Sequence, residues 1–154
     1  MKKKNTSRLV NKKARREYLI EDTIIAGIEL LGPEVKSLRL GRGNLSDGFV
    51  KIRDGEAFIH NFHIHPYEFS VMEDYDPTRA RKLLLNKKEI EKLGVKDQQK
   101  GMALVPLAVF LQGNLFKVEI GVGKGKKAYE KRAELKRRDI DREAEKSLRS
   151  VKRR

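Results

Sequence analysis

The chain has no cysteine and no tryptophan. Without thiols it can form no disulfide and no thiolate metal site, which fits a reducing compartment. No apolar run approaches membrane-spanning length. The basic N-terminus is not followed by an apolar stretch of signal-peptide size. A cytoplasmic protein that makes no use of a membrane is the expectation. Apolar residues make up 38% of the chain, enough for one modest core and too few for two.

Acidic residues are absent from one segment and outnumbered in another. Residues 1–16 hold eight Lys/Arg and no acid, and residues 124–154 hold fourteen against six. Residues 17–123 hold fourteen against sixteen. The three segments carry +8, +8 and −2, which together make the net +14. A nearly neutral body with two cationic ends suits a polyanion, because each neutralised phosphate releases condensed counterions. Solubility alone needs only a modest charge of either sign.

Residues 17–31, "EYLIEDTIIAGIELL", alternate like a long strand. Tyr18, Ile20, Ile24, Ala26, Ile28 and Leu30 fall on one face, with Asp22 the exception, and Gly27 suggests a bulge or bend. A short helix comes next, with Pro33 at its start, Gly41 at its end, and Val35, Leu38 and Leu40 turned inward. Asp54 and Gly55 mark a tight hairpin. Residues 66–82 read as a long loop. Asn86 and Glu89 form a capping-box pattern. A second hairpin turns at Gly113 and Asn114. Its first arm is apolar on both faces, and its second buries Phe116, Val118, Ile120 and Val122. These elements predict a mainly β fold: a small oligonucleotide-binding-like barrel with two or three short helices. The expected divisions are a basic segment at 1–16, the barrel at 17–127 and a basic tail at 128–154.

In the tail, helix formers replace alternation, and Ile140, Ala144, Leu148 and Val151 recur at helical spacing. Such a thin stripe cannot offset both self-repulsion and the entropy of ordering. The tail is therefore expected to be disordered in the free protein and helical along phosphate.

Candidates for chemistry are weak. In a strand His63 and His65 share a face that His60 does not, which argues against a metal site. "GVGKGKK" at 121–127 lacks the spacing and hydroxyl residue of a nucleotide-binding P-loop. Glu73, Asp74 and Asp76 read as a solvated acidic loop. No catalytic residue, metal or cofactor is expected.

Five separated motifs carry a resemblance: "EVKSLR" (34–39), "NLSDGFV" (44–50), "GEAFI" (55–59), "DPTRARKLLL" (76–85) and "KGKKAYEKR" (124–132). Together they resemble the SsrA-binding protein family, also called small protein B. The resemblance implies an adaptor without chemistry of its own, monomeric when free. Its implied partners are transfer-messenger RNA and the ribosome, in the rescue of ribosomes stalled on messages without a stop codon. It implies RNA contacts at Asn11, Lys12, Arg15 and Tyr18, and at Lys117, Lys124, Gly125, Lys126 and Lys127. It also implies a ribosome-contacting tail at Tyr129, Glu130, Lys131, Arg132, Lys136, Arg137 and Arg138. That tail would be helical in the empty message channel of the small subunit. Glu130 replaces the family's more usual aspartate, Ile25 a glutamate of the RNA face, and Ile140 an aromatic. The alternative is a structural ribosomal protein with basic extensions.

Overall fold

The computed structural model describes residues 8–70 and 73–126. Its elements run β1 (Leu9–Val10), α1 (Lys12–Glu17), β2 (Tyr18–Ile28), α2 (Gly32–Arg39), β3 (Gly43–Asn44), β4 (Phe49–Arg53), β5 (Glu56–His60), β6 (His63–Ile64), β7 (Arg81–Leu84), α3 (Lys87–Gln98), β8 (Met102–Gln112) and β9 (Leu115–Gly125). Seven strands form one antiparallel sheet in the order β1-β8-β9-β2-β7-β5-β4, and β3 pairs with β6 beside it. The sheet curls until β4 lies alongside β8, leaving a seam between them. Among the described residues no helix is long and apolar enough to cross a membrane.

The hairpin signals act as expected. Asp54 and Gly55 both take positive φ, 51° and 74°, as a tight turn matched to strand twist requires. Asn86 Oδ1 accepts from Glu89 N at 2.8 Å, and Glu89 Oε1 accepts from Asn86 N at 3.0 Å, which closes the capping box of α3. Leu93 of that helix is buried in the barrel core, where α3 packs against β8 and β4. Phe116, Val118, Ile120 and Val122 of β9 all face this core.

β2 departs from the expected pattern. Its pairing with β9 shifts register between Ile20 and Asp22, so Glu21 is an extra residue. A bulge of one residue exchanges the two faces of everything beyond it. Tyr18 and Ile20 therefore pack outside the barrel, while Ile24, Ala26 and Ile28 pack inside. The bulge is at Glu21 and not at Gly27. Gly27 instead permits close approach of β7, since a Cβ there would lie 3.2 Å from Leu84 Cβ.

β8 makes the same exchange. Its register shifts between Pro106 and Ala108, where proline's missing N–H costs no ladder bond. Leu104 and Val109 face the barrel, whereas Val105 and Leu107 face outward. The outward side is buried too, because Ala14 of α1 covers it. This second small core explains why β8 is apolar on both faces.

Other positions also differ from expectation. Leu40 is 57% exposed, because α2 ends at Arg39. The loop after Pro66 gives way to β7 at Arg81, and Arg81 is fully buried. Its guanidinium donates from Nε and Nη2 to Glu34 Oε2 at 2.8 and 2.6 Å, and Nη1 donates to Phe62 O. Arg79 adds Nη2 to Oε1 at 2.6 Å and Nε to Oε2 at 3.0 Å. Leu31 N also donates to Oε1, at 2.8 Å. Burial by itself would raise the Glu34 carboxyl, but bonds from Arg79, Arg81 and Leu31 outweigh it and hold the pKa at about 2. The cluster ties α2 to the segment that leads into β7.

Candidate nucleic-acid interface

Asn11 starts the site. Its Oδ1 accepts from Ala14 N at 3.1 Å and caps α1. Its Nδ2 donates to Leu45 O at 3.0 Å and Pro106 O at 2.8 Å, and its backbone N donates to Leu107 O at 2.8 Å. It is only 2% exposed. Both amide hydrogens are consumed inside the protein, so Asn11 positions α1 on the β8 bulge.

α1 carries no acid in its first turn and has Arg15 and Arg16 in its last. Lys12 and Arg15 are exposed. Arg15 Nη2 reaches Glu119 Oε1 of β9 at 3.7 Å. The end of β9 is tied back to the helix: Lys126 N donates to Glu17 O at 2.7 Å, and Lys126 Nζ donates to Arg15 O at 3.2 Å. In the β2–β9 ladder, Gly125 opposes Tyr18 and Lys124 opposes Leu19. One corner thus joins Lys12, Arg15, Tyr18, Lys124, Gly125 and Lys126.

Lys117 is not at that corner. It lies seven residues back along β9, about 23 Å at strand rise. There it pairs with Gly27 and Phe110, and Arg8 sits 5.6 Å from the Phe110 ring. Ile25 lies on the same stretch, opposite Glu119 and 45% exposed. Lys127 and the tail positions Tyr129, Glu130, Lys131, Arg132, Lys136, Arg137 and Arg138 lie outside the described residues, as do the expectations of tail disorder and helicity.

The glycines of 121–125 divide by role. A Cβ on Gly121 would lie 2.8 Å from Leu107 Cδ1, and one on Gly123 would lie 2.5 Å from Leu19 O. Both exist for packing beneath α1. A Cβ on Gly125 would meet nothing within 4 Å, so Gly125 alone of the three leaves its backbone open to an approaching RNA strand. The histidines also separate. His60 stacks on Phe49, with centroids 5.1 Å apart and planes at 15°, while His63 and His65 are 6.2 Å apart and tilted. Among the described residues no group of three His, Cys, Asp or Glu could hold a metal.

The SmpB protein family model matches residues 8–150. The chain belongs to this family. It is 51% identical to the SsrA-binding protein of Enterococcus hirae over 143 residues, covering 93% of each chain. It is 52% identical to that of Geobacter sulfurreducens over 139 residues, covering 90% of this chain and 91% of the relative. A chain of the solved structure described as "tmRNA-SmpB: a journey to the center of the bacterial ribosome" aligns with TM-score 0.68 and 44% identity. That alignment covers 79% of this chain and 86% of the other. Membership in the SmpB family agrees with the five motifs and with the mainly β fold. It also fits a corner where cations converge.

Sequence reasoning missed Phe49, Lys13 and Lys51, which line a cleft beside Tyr18. The signal for two of them is the aromatic–lysine pair Phe49 and Lys51 in "GFVKIR", read there as one arm of a hairpin and part of a family motif.

Proposed function

We propose that this chain is an RNA-binding adaptor for ribosome rescue, with no chemistry of its own. It binds the tRNA-like part of transfer-messenger RNA and brings it to stalled ribosomes in the cytoplasm. The observation that carries this reading is the family match, which spans the barrel and the tail together. The corner of α1 and β9 offers Lys12, Arg15, Lys124 and Lys126 to phosphate, with the Gly125 backbone open beside them and Tyr18 adjoining. Phosphate contacts of this kind set affinity and register, not sequence choice.

The proposed division of labour gives the RNA to residues 17–127 together with α1, most of which lies in the basic segment at 1–16. Residues 128–154 enter the vacant message channel, so that a channel still holding message excludes them. Truncation after Lys127 is the test. Affinity for the tRNA-like RNA should stay within a few-fold of the full chain, while peptide tagging on stalled ribosomes is lost. Tagging by the truncated protein would refute the role of the tail.

A further inference from the structure

A cleft of about 400 Å³ opens at the barrel seam, between α1 and the start of β4. That is within the range of small-ligand sites. Ala14, Tyr18 and Val105 line one side, and Phe49 and Lys51 line the other. Phe49 is 37% exposed, and His60, its partner across the β4–β5 ladder, stacks against it. The ring is thus held from one side while part of its surface stays open.

Charge decides what such a cleft would take. Lys13 and Lys51 are matched around it by Glu17 and Asp47, so its formal charge is zero. Lys13 bonds Asp47 at 3.2 Å, an exposed pair of the kind that exchanges readily, and Lys51 lies 3.5 Å from the largely buried Asp97. A neutral cleft has little attraction for phosphate, unlike the corner at Lys124. Aromatic walls with both donors and acceptors nearby suit a flat, uncharged group with a polar edge. An unstacked nucleobase is such a group.

We propose that the seam cleft takes one unpaired base of the bound RNA, stacked on Phe49 beside Tyr18. The Glu17 and Asp47 carboxylates are in place to accept from an amino edge. This rests on the RNA-binding reading and adds to it the place where a base, rather than the backbone, is recognised.

The test uses the full chain and two RNAs, the tRNA-like half of transfer-messenger RNA and a fully paired duplex of equal length. Each is titrated across a range of salt concentrations. Phe49→Leu keeps apolar bulk and removes the stacking face. It should weaken binding to the tRNA-like RNA about 5- to 100-fold, by the same factor at every salt concentration. Duplex binding should not change, and Phe49→Trp should restore the loss. Lys124→Ala should behave differently, flattening the log–log salt slope by about 0.9 for a lost phosphate contact. Wild-type affinity in Phe49→Leu would overturn the cleft proposal, as would an equal loss on duplex or no rescue by Trp. Failure of the wild-type chain to prefer the tRNA-like RNA would overturn the underlying RNA reading as well.

Discussion

Replacing Glu34 by Gln tests the buried cluster most directly. Glu34 is 1% exposed and Arg81 is fully buried, so neither charge can turn to water. Gln keeps the shape but removes the charge, and leaves the Arg81 guanidinium without its counterion. Breaking a buried pair from one side costs about 3–5 kcal/mol. The pH dependence gives an independent figure. The carboxyl is depressed from 4.5 to about 2, which corresponds to roughly 3 kcal/mol of stability at neutral pH. The sign comes from the direction of the shift. The folded state binds this proton less tightly than the unfolded chain does. Its stabilisation is therefore full above the unfolded value of 4.5 and lost as pH falls toward 2. Urea denaturation of wild type and Glu34→Gln, repeated from neutral pH downward, reads both effects. The variant should be about 3–5 kcal/mol less stable at neutral pH, and the gap should narrow from about pH 4.5 downward and shrink toward pH 2. A variant within 1 kcal/mol of wild type at neutral pH, or a gap unchanged at pH 3, would refute this account of the cluster.

The second core and the glycines beneath α1 yield further tests. Asn11→Ala removes a helix cap and leaves two buried carbonyls, on Leu45 and Pro106, without their donor. It should cost about 2–4 kcal/mol in chemical denaturation, and RNA affinity corrected for the folded fraction should stay near wild type. Gly123→Ala puts a methyl group 2.5 Å from Leu19 O and should lower stability by about 1–3 kcal/mol. Gly125→Ala meets open space and should stay within about 0.5 kcal/mol of wild type. Equal thermal shifts for the two glycine variants would refute the packing role given to Gly123.

Part of this molecule is legible in the sequence because the signals are local. The alternation of β9, the Asp54-Gly55 turn and the Asn86 cap each depend on neighbours a few residues away. The charge of the two ends is a matter of counting, and the five motifs suffice to identify the family. The bulges at Glu21 and Leu107 are different. Each is defined by a partner strand that local pattern cannot see, and each exchanges the faces of the residues beyond it. That is why Tyr18 and Ile20 seemed to share a face with Ile24.

The composition and pattern of the chain by themselves determined a mainly β body, its hairpins, its cationic ends and the kind of partner those ends attract. Charge density and period-two burial are properties of short stretches, and they survive any particular packing. Only the tertiary structure decided that Glu34 meets Arg79 and Arg81 across 45 and 47 residues, that α1 seals a second core, and that Phe49 and Tyr18 border one cleft. Those pairings are set when the sheet curls and its strands choose their register, a choice made by the whole core at once.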